Sequence, residues 1–230
     1  MIDIPRAFTY VFDDPQWVSK LVMVAIVTFG SAILTPVLIG LVGFAILFGY
    51  QLELIRNIRR GERYPLPAWD DFGRFLNMGI NPVIAWVAYN VPNLVISLVI
   101  GLIGFTAGDG LLSGGLISLA FCCFVPLLIL YNLAIQPVYT LGLGRYAEEP
   151  RLNVFFEFSS LIRLVRSRTD ALIQWLLGAV IAAIVLGLVN AIPCLGWIVG
   201  GALTIPIFGH LSGQYITVVL GQGQMKRKNM

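Results

Sequence analysis

The chain has 230 residues, of which 58% are hydrophobic and only 12% are charged, and its formal net charge is +3. A soluble core of this length cannot bury that much apolar surface, so the composition excludes a soluble globular protein and predicts an integral membrane protein. Nucleic acid is not an expected partner, because the net charge is small and acidic residues lie among the basic ones.

The N-terminal segment predicts a short helix at the membrane surface. Its apolar residues Ile4, Ala7, Phe8, Val11 and Phe12 recur at the spacing of one helix face, with polar residues between them. The first residues show neither a basic stretch that leads into an apolar run nor a cleavage site. We therefore expect no removable signal peptide, and we expect the first span to direct its own insertion.

The first long apolar run must turn within the membrane. It extends from Val18 to Ile55, which is almost twice the length of about 20 residues that crosses a bilayer once. Pro36 lies near its middle, and the residue before a proline is disfavoured in a helix. We therefore predict a tight hairpin, with span one at about 18–34 and span two at about 36–56.

Two further hairpins follow. Spans three and four are predicted at about 81–105 and about 114–143, on either side of the turn-rich segment 106–110. Spans five and six are predicted at about 170–191 and about 195–220, with a proline-containing turn between them. The predicted fold is an all-α polytopic transmembrane bundle of six spans in three hairpins, which form a single integral membrane domain.

The positions of the charges support this count of spans. With six spans, all fifteen Lys and Arg residues fall on one side, and the three turns on the other side carry only Asp109. Cytoplasmic segments collect Lys and Arg, and a missed or invented span would scatter them over both sides. We therefore predict a multi-pass protein of the plasma membrane with both termini in the cytoplasm.

Two more short amphipathic segments precede the second and third hairpins. Each has apolar residues at helical spacing and charged residues between them, so each is predicted to lie along the cytoplasmic membrane surface as an interfacial helix. The apolar residues are Trp69, Phe72 and Leu76 in the second segment and Phe155, Phe158, Ile162 and Val165 in the third.

Uncharged polar side chains inside the spans form the main candidate site. Two interpretations stay open: these groups hydrogen-bond between helices, or they line a cavity that is open to the cytoplasm and holds a polar molecule, a lipid head group or a permeation path. The residues of this polar layer are Asn90, Asn93, Ser97, Asn132, Gln136, Tyr139, His210 and Gln214.

Two clusters of arginine on the cytoplasmic side are candidate contacts for anionic lipid head groups. The positive charge on this side is already explained by the topology, so lipid binding is an additional hypothesis. The residues are Arg56, Arg59, Arg60 and Arg63 in the first cluster and Arg163, Arg166 and Arg168 in the second.

Glycines indicate how the last span packs. Gly196 and Gly200 form one small-residue pair, and Gly209 and Gly213 form another. Such pairs let helix backbones approach each other closely. The step of nine positions from Gly200 to Gly209 turns the two pairs to opposite faces, so span six is predicted to be central in the bundle.

The sequence predicts no catalytic, cofactor or metal site. No charged residue lies in the middle of a span, although ion-coupled transport usually depends on such charges. A single His and three scattered Cys do not supply a zinc ligand set, and neither a phosphate-binding loop nor a nucleophile elbow occurs. We predict that Cys122, Cys123 and Cys194 are buried thiols rather than disulfide partners.

Several short motifs resemble one known family. Taken in chain order, these motifs look like the uncharacterised prokaryotic membrane proteins catalogued as domain of unknown function 4013. The resemblance covers nearly the whole chain and implies a multi-span membrane protein, but it brings no reaction, substrate or catalytic residue. The motifs are Phe12-Asp13-Asp14-Pro15 with Trp17, Gly49-Tyr50 followed by the Arg56 to Arg60 cluster, Leu66-Pro67-Ala68-Trp69-Asp70-Asp71-Phe72, Arg145-Tyr146-Ala147-Glu148 and Gly213-Gln214.

Three functions are compatible with these observations. The leading hypothesis is a non-enzymatic accessory or scaffold subunit that engages lipid, a membrane-protein partner or a second copy of itself. The second is a channel or uncoupled permease for a small polar solute. The third is an intramembrane enzyme that acts on lipids, which would require His210 or cytoplasmic-edge carboxylates such as Asp70 and Asp71 to converge on one pocket.

Overall fold

The computed structural model describes residues 1–37, 39–106 and 111–221 of the chain, and these residues form helices joined by short connections without any β-strand. Three short 3-10 turns cover Tyr10–Asp13, Thr35–Val37 and Leu152–Phe156. The α-helices are α1 (Ile4–Thr9), α2 (Trp17–Leu34), α3 (Gly40–Arg60), α4 (Phe72–Thr106), α5 (Leu111–Glu148), α6 (Phe158–Ser167), α7 (Thr169–Asn190) and α8 (Leu195–Leu220).

The six predicted spans are confirmed. In the described part of the chain, six helices are long and apolar enough to cross a membrane, namely α2, α3, α4, α5, α7 and α8. The bounds of α2, α7 and α8 agree with the predicted spans to within one residue. The protein is therefore an all-α, multi-pass membrane protein. The predicted turn at 106–110 lies outside the described residues apart from Thr106.

The first hairpin turns where the proline predicted it. Pro36 lies inside the 3-10 turn, and α3 begins only at Gly40, four residues later than predicted. At its other end α3 continues to Arg60 and is closed by Gly61, whose φ of 72° is in the left-handed region that favours glycine.

The second interfacial helix does not form, and this prediction was wrong. Helix α4 starts at Phe72 instead of 81 and runs without a break for 35 residues, so Phe72 and Leu76 belong to the span itself. The Asp71 carboxylate accepts a hydrogen bond from the Arg74 backbone N–H at 2.8 Å and caps this start. Pro82 stays inside the helix, as prolines do in apolar helices whose neighbours compensate for the missing bond.

Helices α3 and α8 form the centre of the bundle. Half of the apolar window of each is buried, against 11% for α4 and for α5, so α3 and α8 are the inner helices and the others face outward. The glycine pairs of α8 confirm its predicted central position. Gly196 and Gly200 face α7, whereas Gly209 and Gly213 face Leu54 and Ile58 of α3.

Two glycines allow the backbones of helices α3 and α4 to approach each other closely. A Cβ atom at Gly49 would lie 1.9 Å from the Phe75 carbonyl oxygen, and one at Gly79 would lie 1.7 Å from the Ala45 carbonyl oxygen. Only glycine allows this approach at either position. The contact fixes α4 against α3 near the end of the bundle where the basic residues gather.

The other two predicted interfacial segments form helices at one end of the bundle. Both helices are shorter than predicted, since Val11 and Phe12 lie in the 3-10 turn after α1 and Phe155 lies in the one before α6. Helix α1 packs its fully buried Ala7 against α8, and α6 buries Leu161 while Leu164 and Val165 pack on the same core. The Asp3 backbone N–H donates to Gln214 Oε1 at 2.5 Å, which places the N-terminal segment beside the last turns of α8. We call this end, which also carries the arginines of α3 and α6, the basic end.

The cysteine prediction is half right. Cys122, Cys123 and Cys194 are free thiols, but all three are exposed on the surface of the chain rather than buried. Cys122 and Cys123 lie on the half of α5 that packs least against other helices. Their apolar surroundings are therefore the lipid side of the protein and not its interior.

Candidate functional site

The family-like motifs meet at the basic end and hold the connection between α3 and α4. The Tyr50 ring stacks on the Trp69 ring with centroids 4.5 Å apart, and Phe75 meets both rings edge-on. The Trp69 indole N–H donates to the Lys20 carbonyl oxygen at 3.1 Å. The segment before α4 is thereby fixed to α2 and α3, so the motif residues build structure here.

A buried ion pair stands beside this aromatic cluster. Lys20 Nζ lies 2.7 Å from Asp14 Oδ2, and their side chains are only 12% and 4% exposed. The same ammonium donates to the Leu66 carbonyl oxygen at 2.7 Å, and the Gln16 backbone N–H donates to Asp14 Oδ1 at 2.8 Å. These hydrogen bonds compensate for the cost of burying both charges.

The first arginine cluster is divided between the interior and the surface. Arg59 is 4% exposed, donates to the Gly144 carbonyl oxygen at 3.1 Å and pairs with Glu148. Arg56 donates to the Ala147 carbonyl oxygen at 3.2 Å. Both guanidinium groups join α3 to α5 inside the protein.

The remaining members of that cluster are engaged at the surface, Arg60 at the end of α3 and Arg63 in the segment that follows it. Arg60 Nη1 lies 4.0 Å from a carboxylate oxygen of the buried Glu53 and 3.7 Å from one of Glu62. The Arg63 guanidinium lies over the Tyr64 ring, 5.3 Å from its centroid. Their charges are therefore partly compensated by this chain itself.

The second arginine cluster is different. Arg163, Arg166 and Arg168 are exposed, and within the described ranges no carboxylate forms an ion pair with any of them. The start of helix α6 is held by α5, because Arg145 Nη1 lies 2.6 Å from Glu157 Oε2 and 3.0 Å from Ser160 Oγ. Helix α6 and the residue that follows it therefore present three positive charges without an ion-pair partner among the described residues, from a firmly held position.

Three members of the predicted polar layer form one network between α4 and α5. Asn93 and Asn132 exchange side-chain hydrogen bonds in both directions at 3.1 Å, and Asn93 Nδ2 also donates to Asn90 Oδ1 at 2.8 Å. The Asn90 and Asn132 amides donate in addition to the carbonyl oxygens of Trp86 and Leu128, one turn earlier. The amides thus join two helices and satisfy each other.

The other polar residues of these two helices have separate surroundings. The buried Tyr139 hydroxyl donates to the Pro82 carbonyl oxygen at 3.1 Å, which is another link between α4 and α5. Ser97 is exposed, and Gln136 is half-buried at the edge of a cleft described below. The sequence pattern did not distinguish these environments.

His210 and Gln214 belong to a different contact, with the N-terminal segment. The His210 ring stacks on Tyr10 with centroids 4.1 Å apart, and its Nδ1 lies 2.8 Å from Gln214 Nε2. That Nε2 also donates to the Asp3 carbonyl oxygen at 3.0 Å. Burial raises the pKa of Tyr10 well above its ordinary value, so its hydroxyl stays protonated and donates to the Pro206 carbonyl oxygen at 3.0 Å.

A cleft that the sequence analysis did not predict lies between α5 and α7. In the described part of the chain these two helices do not pack along each other, and α3 and α8 close the space behind them. The cleft has a volume of about 520 Å³, which is in the usual range for ligand sites. Trp175, Ala179 and Ala183 recur every fourth residue along its α7 wall, a spacing that could have marked this face in the sequence.

The wall of the cleft is mostly aliphatic and aromatic. Ile129, Leu133 and Val180 line it and are 54%, 42% and 45% exposed, so the cleft opens sideways to the surroundings of the bundle. Its polar lining residues are Gln51, Asn132, Gln136, Thr140 and Ser212. In the described residues no group of three His, Cys, Asp or Glu side chains is placed to hold a metal ion.

A family model described as "Protein of unknown function (DUF4013)" matches residues 32–194, more than half of the chain. The chain belongs to this family. The match includes Gly49, Tyr50 and the 66–72 motif that builds the aromatic cluster, whereas the 12–17 motif and Gln214 lie outside it. No curated protein matches the chain, and no solved structure matches it. Family membership thus leaves the activity to be inferred from the site.

Proposed function

We propose that this protein is a non-enzymatic accessory or scaffold protein of the plasma membrane that engages anionic lipid through α6. The observation that supports this most is the exposure of Arg163, Arg166 and Arg168 without an acidic partner among the described residues. As a scaffold, the protein would assemble with a membrane-protein partner or with a second copy of itself.

The shape of α6 favours a position at the membrane surface. Its buried Leu161 faces the core, while Phe158 and Ile162 are 43% and 39% exposed beside the arginines. Apolar side chains next to basic ones on one short helix are typical of binding to the interface of an anionic membrane. Each arginine near such a surface contributes about 1 kcal/mol of attraction.

The proposed orientation places the basic end in the cytoplasm. Both the N-terminal segment and the end of α8 lie at that end, as an even number of spans requires. Lys and Arg collect on the cytoplasmic side of membrane proteins. Reporter domains fused after Gly221 and inserted near Pro193 should be active in the cytoplasm and outside it, respectively.

The lipid proposal is tested with native mass spectrometry of the purified protein. Phosphatidylglycerol or phosphatidylcholine is added, and the bound copies of each lipid are counted. We expect a preference for phosphatidylglycerol that falls by up to about 100-fold when Arg163, Arg166 and Arg168 are all replaced by Gln. This is the upper limit, reached if the three contributions of about 1 kcal/mol each are fully additive.

The matched control removes the same charge from exposed arginines that have partners. Arg6, Arg60 and Arg151 each lie within 4.0 Å of a carboxylate and are about half-exposed or more. Their replacement by Gln should leave the lipid preference nearly intact. An equal loss in both triple variants would mean that only total charge matters, and it would remove the role given to α6.

A second candidate function is an uncoupled permease for a small polar solute. It is favoured by Gln51, Asn132 and Gln136, which supply polar groups to one cleft. This function requires solute entry into proteoliposomes that exceeds entry into empty vesicles, measured by stopped-flow light scattering with glycerol and urea. It also requires that Gln136→Leu reduces this entry.

A further inference from the structure

The α5–α7 cleft and the arginines of α6 are parts of one surface. Helix α6 follows the end of α5 and leads directly into α7, so it lies across the basic end of the gap between them. It contacts α5, α7 and α8, the helices that form most of the cleft. Positive charge therefore stands at one end of an elongated, mainly apolar cleft.

The extent of the cleft fits a chain-like occupant. On α5 its lining runs from Leu143 near the basic end to Val125, and on α7 it runs from Trp175 to Ala183. At 1.5 Å per residue the α5 wall is about 27 Å long, close to the thickness of the hydrocarbon core, and the α7 wall is about 12 Å long. A compact solute would not fill such a length.

The lateral opening faces the hydrocarbon of the bilayer. The lining residues Ile129, Leu133 and Val180 are partly exposed, and they lie in the membrane-spanning helices α5 and α7. The medium with direct access is therefore lipid.

We propose that the cleft binds one acyl chain of an anionic phospholipid from the bilayer, with the phosphate held at Arg163, Arg166 and Arg168. This rests on the proposed function and adds to it a specific site with a seat for the chain. The polar groups of Asn132 and Gln136 then lie at the side of the acyl chain, and the Asn132 amide is satisfied by Asn93 and the Leu128 carbonyl oxygen.

Two tryptophans allow a direct test. Trp175 lines the cleft but is only 5% exposed, so lipid at the outer surface of the bundle hardly reaches it. Trp197 is 55% exposed at the start of α8 and reports on general contact with lipid. The fluorescence of each is obtained as the difference between the wild-type chain and its Trp→Phe variant.

The full chain is reconstituted in phosphatidylcholine vesicles with a minor fraction of phospholipid that carries brominated, fluorescence-quenching acyl chains. We expect brominated phosphatidylglycerol to quench Trp175 at a mole fraction at least about fivefold lower than brominated phosphatidylcholine requires. Trp197 should be quenched equally by both lipids. Added unbrominated phosphatidylglycerol should compete for the site and reverse the quenching of Trp175. This competition test needs no further variant.

Filling the cleft should abolish the signal. Ala179→Phe and Ala183→Phe, made separately, add a ring inside the cleft, while Ala134→Phe adds the same ring at an exposed position of α5 outside it. The first two should remove Trp175 quenching and leave Trp197 unchanged, and the third should change neither. Size-exclusion profiles identify any variant that does not fold.

Several outcomes would overturn the proposal. The first is that Trp175 is not quenched, and the second is that both lipids quench it equally. The third is that the cleft-filling variants change the oligomeric state and leave the quenching unchanged, which would assign the cleft to a second copy of the chain. If Trp175 is not quenched but native mass spectrometry still shows the α6-dependent lipid preference, the head-group function stands without the acyl-chain site.

Discussion

The half of the bundle at the basic end and the outer halves of α4 and α5 are built differently. At the basic end, Gly49 and Gly79 bring two helix backbones into contact, and aromatic rings and buried ion pairs fill the surroundings. Beyond Asn93, the side chains of α4 are mostly exposed and apolar. The first region is held together by contacts within this chain, whereas the second leaves apolar side chains exposed at the surface of the bundle.

Helix length adds to this contrast. Helices α4 and α5 have 35 and 38 residues, which at 1.5 Å per residue gives about 52 and 57 Å, against about 30 Å of hydrocarbon. A hydrophobic helix of this length must tilt or project. A tilted α5 would separate from the shorter α7, which gives a physical reason for the cleft between them.

The largest effect on stability should come from a side chain placed between α3 and α4. Gly49→Leu places a side chain where the Phe75 carbonyl oxygen lies, and the two helices must separate. We expect a loss of about 3 kcal/mol or more and little folded protein in detergent. Gly101→Leu is the matched control, since a Cβ atom there meets nothing within 4 Å. Equal loss in both variants would contradict the distinction between the two regions.

The next effect should come from the buried ion pair. Lys20→Met leaves the Asp14 carboxylate, which is only 4% exposed, without its cation. Removal of one partner of such a pair costs about 3 to 5 kcal/mol, visible as a lowered Tm in detergent. The exposed pair of Arg151 and Glu149 serves for comparison, and Arg151→Met should leave Tm unchanged. A stable Lys20→Met variant would mean that this end is less tightly specified than its contacts indicate.

A smaller effect is expected from the asparagine network. Asn132→Leu removes the reciprocal bonds with Asn93 and should cost about 1 kcal/mol, because hydrogen bonds between membrane helices have modest net value. Ser97→Leu changes an exposed residue on the same helix as Asn93 and should have no effect on Tm. A double-mutant cycle with Asn93→Leu separates the pair from its surroundings, and a coupling near zero would remove its structural role.

The smallest effect on stability should come from α6. Replacing Arg163, Arg166 and Arg168 by Gln should change the free energy of unfolding by less than about 0.5 kcal/mol for each, since their side chains are exposed. The same variant should lose most of its preference for anionic lipid. A large drop in Tm would show instead that these residues stabilise the fold.

The six spans could be predicted because hydropathy and charge are local properties of the sequence. The start of α4 at Phe72 could not be predicted in this way, because the pattern of Trp69, Phe72 and Leu76 fits a separate surface helix and the first turn of a span equally well. The contact of Gly49 with Phe75 decided between them, and that contact joins residues distant in sequence.

The candidate site was only partly predictable for the same reason. Asn93 and His210 lie at similar depths in the predicted spans, but one faces α5 and the other faces Tyr10. Likewise, Arg59 and Arg163 are alike in sequence, yet only the tertiary structure shows that one is buried against Glu148. The cleft depends on the separation of α5 from α7, which no local pattern reports.

The most direct test of the account is thiol accessibility in native membranes. On a background in which Cys122, Cys123 and Cys194 are replaced, single cysteines are placed at Asn93, Asn132 and Gln136. A small membrane-impermeant thiol reagent is applied at the basic end, with a cysteine at the exposed Arg63 as the positive control.

We expect the control cysteine to react and the cysteines at the three interior positions not to react. The amides join helices and the cleft holds lipid, so water does not reach these positions. Labelling at two or more of these positions would contradict the scaffold function proposed above. A water-filled path would then extend into the bundle, and permeation would become the better-supported function.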